Sequence, residues 1–94
     1  MTDNVEEKRE NIIKRLNRVE GQIKGIKKMI NSNICCNDVL IQISAARAAM
    51  SKVGMKLLEI YSENCIDEMQ DDNNRDRVLK ELLGTLESYM KFGG

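Results

Sequence analysis

Cys36, Val39, Ile43, Ala46, Met50, Val53, Leu57 and Ile60 follow one another at alternating steps of three and four residues. That rhythm puts all of them on one side of a helix and on neither face of a strand. It commits the middle of the chain to one long helix, predicted over 36–69. Upstream, Ile12, Leu16, Val19, Ile23, Ile26 and Ile30 keep the same rhythm and predict a helix over 5–31. Asn31-Ser32-Asn33 supplies turn and capping residues between the two. The polar run Gln70-Asp71-Asp72-Asn73-Asn74 is the second turn, with Asn73 or Asn74 expected as the N-cap of a third helix. That helix, shorter than the other two, carries Val78, Leu79, Leu82, Leu83, Leu86 and Met90 on its apolar side, and Gly93 and Gly94 are the last two residues of the sequence. No proline interrupts any of these segments and no strand alternation is visible. The expected fold is all-α, three helices, in one domain spanning 1–94.

A long seam on a short chain leaves apolar surface to cover. With 94 residues, 41% of them hydrophobic but only 3% aromatic, the chain builds a thin aliphatic core. The middle helix spans roughly 50 Å at about 1.5 Å per residue, more than its two neighbours can cover. Its centre, Ser44-Ala45-Ala46-Arg47-Ala48-Ala49-Met50-Ser51, is mostly small side chains that let another helix come close. The simplest partner is the same helix of a second subunit, antiparallel across a two-fold axis, giving a four-helix-bundle dimer. The alternative is an Ala-rich surface retained for helix propensity.

Fifteen Lys and Arg balance fifteen Asp and Glu, which excludes a globally basic nucleic-acid binder but not a local basic stripe. The absence of His removes imidazole as ligand, acid or base. Nothing resembles an acid–base pair in a pocket, so an enzyme is not expected. The charged N-terminus lacks the apolar core of a secretory signal, and no window is apolar enough to span a membrane. A cytoplasmic location follows as the expectation, with its three cysteines reduced. An odd count argues against a disulfide framework.

Cys36 and Cys65 would lie roughly 43 Å apart along one straight helix and could not meet within a chain. In an antiparallel pair crossing near Met50 and Ser51, Cys36 of one subunit would face Cys65 of the other. Cys36, at a helix N-terminus, is the better nucleophile, because the helix dipole and unpaired N–H groups favour a thiolate. Glu63, Asp67 and Glu68 around Cys65 disfavour ionisation, which suits a resolving thiol. Cys35 precedes the helix and points elsewhere, and a bond between neighbours Cys35 and Cys36 would be strained. The bland alternative is three small buried hydrophobes.

Charge is also segregated. Lys14, Arg15, Arg18, Lys24, Lys27 and Lys28 face the single acid Glu20 within 14–28, a net charge of +5. Lys52, Lys56, Arg75 and Arg77 could extend that surface after assembly, while 63–76 also holds a run of acids. A basic face of this kind suits DNA phosphates, although a solvated helix face has the same composition. Lys14, Arg15, Arg18, Lys52, Arg75 and Arg77 are the candidate DNA contacts.

The stretches RLNRVEGQIKGIKKMI (15–30) and CNDVLIQISAARAAM (36–50) resemble the CsoR/RcnR-type family of metal-sensitive bacterial transcriptional repressors. The resemblance continues through Cys65 and Glu81 and covers nearly the whole chain. It implies an all-helical dimer that assembles into a disc-shaped tetramer. It also implies operator DNA held at rest and released when an inducer reacts at an intersubunit site containing Cys36. Copper-sensing members place a His four residues before the second Cys, where this chain has Tyr61, and an aromatic residue where it has Cys35. A dithiol without imidazole resembles the CstR-like persulfide-sensing branch. The first expectation is therefore a cytoplasmic repressor that senses persulfides or polysulfides through Cys36 and Cys65, with Cys35, Tyr61 and Glu81 secondary, and without a metal or other cofactor. The alternative inducer is Cu(I), bound by the same two thiols with Cys35 or a Met as an added soft ligand. A structural helical oligomerisation module with inert cysteines is the reading from a different class.

Overall fold

The computed structural model describes residues 2–93, with side chains described for 6–91. Three helices follow in chain order: α1 (Thr2–Asn31), α2 (Cys36–Glu68) and α3 (Asp72–Gly93), with no strand among the described residues. The three-helix all-α expectation holds. The helix ends differ from it by a few residues, with α1 starting at Thr2 and α2 stopping at Glu68.

The α1–α2 turn closes on a left-handed residue. Asn33 has φ 58°, its N–H donates to the Ile30 carbonyl at 3.2 Å, and the Ile34 N–H donates to the Met29 carbonyl at 3.0 Å. This is a Schellman end, with asparagine taking the position that glycine fills most often. The α2–α3 turn corrects the expected cap. Asp71, not Asn73 or Asn74, caps α3: its Oδ1 accepts the Asn73 N–H at 3.0 Å and its carbonyl accepts the Asn74 N–H at 3.0 Å. A carboxylate there satisfies an otherwise orphaned donor and meets the positive end of the helix dipole.

The chain divides into two compact units, residues 1–56 and 57–94. In the first, the buried residues are Ile12 and Val19 on α1 and Val39 and Val53 on α2. In the second they are Ile60 and Cys65 on α2 and Val78 on α3. Val53 and Val78 are each only 1% exposed.

The α2 seam separates into two lines with a seven-residue repeat. Val39, Ala46, Val53 and Ile60 are buried or half-buried, whereas Cys36, Ile43, Met50 and Leu57 are all exposed. On α1 the same split leaves Ile23 and Ile30 exposed beside buried Ile12 and Val19. A helix in a four-helix bundle meets two neighbours and needs two such lines. One chain covers one of them.

Candidate functional site

Cys36 is the first residue of α2, positioned by the turn that ends α1. The Cys35 carbonyl receives the N–H groups of Asp38 at 3.1 Å and Val39 at 3.3 Å, which makes Cys35 the residue before the first turn and Cys36 the first within it. Both thiols are free and exposed. The first-turn backbone N–H groups of Cys36 and Asn37 have no carbonyl one turn back, as in any helix start. Cys36 also begins the exposed line Cys36–Ile43–Met50–Leu57, in which Met50 and Leu57 are 50% and 51% exposed. Covering the exposed half of such a side chain contributes about 1 kcal/mol, roughly half the value for a full burial.

Cys65 has the opposite surroundings. It lies in the unit of residues 57–94, one helical turn after Tyr61, is free, and is only 5% exposed. In that unit Tyr61, Glu81, Gly84, Thr85, Ser88 and Tyr89 line an open groove. The Thr85 hydroxyl donates to the Tyr61 phenol oxygen at 3.4 Å, and Glu81 Oε1 receives Arg77 Nη1 at 3.1 Å. The structure thus brings Tyr61 and Glu81 to one groove and sets Cys35 beside Cys36 at the head of α2. Cys36 belongs to residues 1–56 and Cys65 to residues 57–94. Thr85, Ser88 and Tyr89 carry no motif in the sequence, although Thr85 lies four residues after Glu81, and Ser88 and Tyr89 three and four after Thr85, which puts them on one face of α3.

Among the described residues, no three His, Cys, Asp or Glu side chains of one chain gather as a metal site. The donors that suit a soft cation such as Cu(I) are the thiols, which that ion accepts in low coordination number.

The basic candidates divide. Lys14, Arg18 and Lys52 are exposed, and Arg15 is half-buried with its Nε donating to Asn11 Oδ1 at 2.9 Å. Arg75 and Arg77 are engaged along α3. Arg75 pairs with Asp72 at 2.6 Å, and Arg77 joins its bond to Glu81 with a 3.5 Å contact to Asn74 Oδ1. Among the described residues no helix is long and apolar enough to cross a membrane.

Comparison with known proteins places this geometry. Residues 8–88 match the family described as metal-sensitive transcriptional repressor. The copper-sensing transcriptional repressor CsoR of Bacillus subtilis is 35% identical over 83 residues, covering 88% of this chain and 82% of that protein. The copper-sensing repressor CsoR with Cu(I) from Geobacillus thermodenitrificans superposes with a TM-score of 0.76 at 41% identity, over 86% of this chain and 84% of that one. The nickel-responsive transcriptional regulator InrS gives 0.77 at 34% identity, over 85% and 90%. These metal-responsive names back the Cu(I) alternative rather than the persulfide expectation, and they describe regulators, not enzymes. The chain belongs to the metal-sensitive transcriptional repressor family.

Proposed function

We propose that this chain is a single-domain DNA-binding repressor, active as an antiparallel dimer and dimer of dimers, whose inducer is Cu(I). The observation that carries the reading is the exposed line Cys36–Ile43–Met50–Leu57. A second copy laid antiparallel on it, crossing between Met50 and Ser51, covers the apolar side chains and sets Cys36 of one subunit against Cys65 of the other. Two thiolates from two subunits then form a soft, two-coordinate site, and Cys65 supplies its dry side. Metal binding across the interface favours one packing of the helices over another, and the DNA affinities of the two packings differ. Phosphate contact falls to the basic face of α1 with Lys52.

Anaerobic Cu(I) titration of the DNA complex, read by fluorescence anisotropy, tests the proposal. One Cu(I) per Cys36–Cys65 pair should release the DNA, and Cys36→Ser or Cys65→Ser should abolish release without weakening DNA binding. Release that persists in Cys36→Ser refutes the site.

Tyr61 supports a second reading, because a phenol stands where copper sensors are expected to carry imidazole. In it Cys36 thiolate attacks the outer sulfur of a persulfide, expelling the parent thiol, and the partner's thiol closes a bridge with loss of hydrosulfide. Intact mass after persulfide treatment separates the two. A covalent dimer that releases DNA where Cu(I) does not would favour sulfur.

A further inference from the structure

Gly21 and Gly25 stand in the interior of α1, both exposed, and neither has a positive φ. A Cβ added at either would meet nothing within 4 Å. Glycine weakens a helix interior relative to alanine, since its freer backbone loses more entropy on ordering. Nothing among the described residues accounts for either glycine, which leaves the space beside them open to something outside the protomer.

The helical period identifies the face. Lys14, Arg18, Gly21, Gly25 and Lys28 follow one another at steps of four, three, four and three, on the side of α1 turned away from buried Ile12 and Val19. Lys14, Arg18 and Lys28 are exposed, and Glu20, the single acid between Lys14 and Lys28, lies round the helix from them. A second copy pairing through this same face would bring like charge against it and find no apolar stripe to cover. A polyanion meets neither obstacle.

We propose that the sugar–phosphate backbone of duplex DNA lies along this face, with Gly21 and Gly25 as positioning residues that admit a strand against bare helix backbone. Lys14 to Lys28 spans about 21 Å of helix. A DNA strand carries one charge per roughly 3.4 Å of axis, so the face meets several phosphates. A methyl group at either glycine would hold the strand away from the flanking cations, and each Coulomb contact weakens with the added distance. The inference rests on the DNA-binding reading above and adds the residues that set the approach.

The test compares wild type with Gly21→Ala and Gly25→Ala, using a labelled duplex of arbitrary sequence at low and at physiological salt, because backbone contact does not require the operator. Thermal midpoint and sedimentation are measured alongside. Both variants should melt higher and sediment as wild type, yet bind the duplex at least about tenfold more weakly with a flatter salt dependence. Wild-type affinity in both variants overturns the inference. A lower melting midpoint also overturns it, by showing an internal need for glycine, as does altered sedimentation, by assigning the space to a second copy. If wild type binds no duplex even at low salt, it is the DNA-binding reading itself that fails.

Discussion

The Thr85 hydroxyl on α3 donates to the Tyr61 phenol oxygen on α2 at 3.4 Å, one helical turn from the buried thiol of Cys65. The phenol is thus held by α3 and is a poor ligand for a soft cation. Tyr61→Phe is expected to leave Cu(I) affinity within about twofold of wild type. Tyr61→His, which adds the imidazole that the family resemblance implies for copper sensors, should raise affinity by at least about tenfold. Competition with a Cu(I) chelator reads both, and a Tyr61→Phe variant that loses affinity would make the phenol a ligand.

Exposure orders the thiols. With limiting iodoacetamide, Cys35 and Cys36 are expected to be alkylated before Cys65, which is 5% exposed. Peptide mass mapping over time shows the order, and early modification of Cys65 would contradict the packing of the C-terminal unit.

The proposed dimer rests on the exposed α2 line rather than on Ala46 and Ala49, which are already half-buried within one chain. Met50→Glu, at the proposed crossing, places a carboxylate opposite its own copy in an apolar interface. The dimer should weaken by several kcal/mol, on the order of 3–5, the scale for an uncompensated buried charge. Sedimentation at micromolar concentration checks it, and an unchanged dimer would move the axis elsewhere.

DNA contact should follow charges that are not spent within the chain. Arg18→Ala and Lys52→Ala are expected to reduce duplex affinity and the salt slope by about one counterion each. Arg75→Ala and Arg77→Ala, whose guanidinium groups pair with Asp72 and Glu81, should change the slope less. Affinity measured across a salt series separates the two pairs. Equal slopes for all four variants would remove the distinction.

Two substitutions probe the C-terminal unit. Asp71→Ala removes the cap of α3 and should cost about 1 kcal/mol. Val78→Ala empties a position that is 1% exposed and should cost about 2 kcal/mol, from lost transfer energy and the cavity left behind. Urea unfolding measures both, and a neutral Val78→Ala would mean that the site collapses without loss.

Sequence alone determined the helices, because their apolar period is local and no proline or strand alternation competes with it. It also placed Cys36 at a helix start and concentrated positive charge on α1, both properties of neighbouring residues. Only tertiary structure chose between the two lines of the α2 seam. The three–four rhythm puts Val39, Val53, Ile43 and Met50 on one side of the helix, and packing alone leaves the first two buried and the last two exposed. The same holds for the thiols: equal residues in sequence, one exposed at the head of a helix and one enclosed near its end. Asp71 took the cap from Asn73 and Asn74, and Arg75 and Arg77 found partners along α3, because side-chain hydrogen bonds depend on where a helix begins to within one residue. Period tolerates an error of a residue or two at a helix end, whereas a cap, a salt bridge or a buried thiol does not.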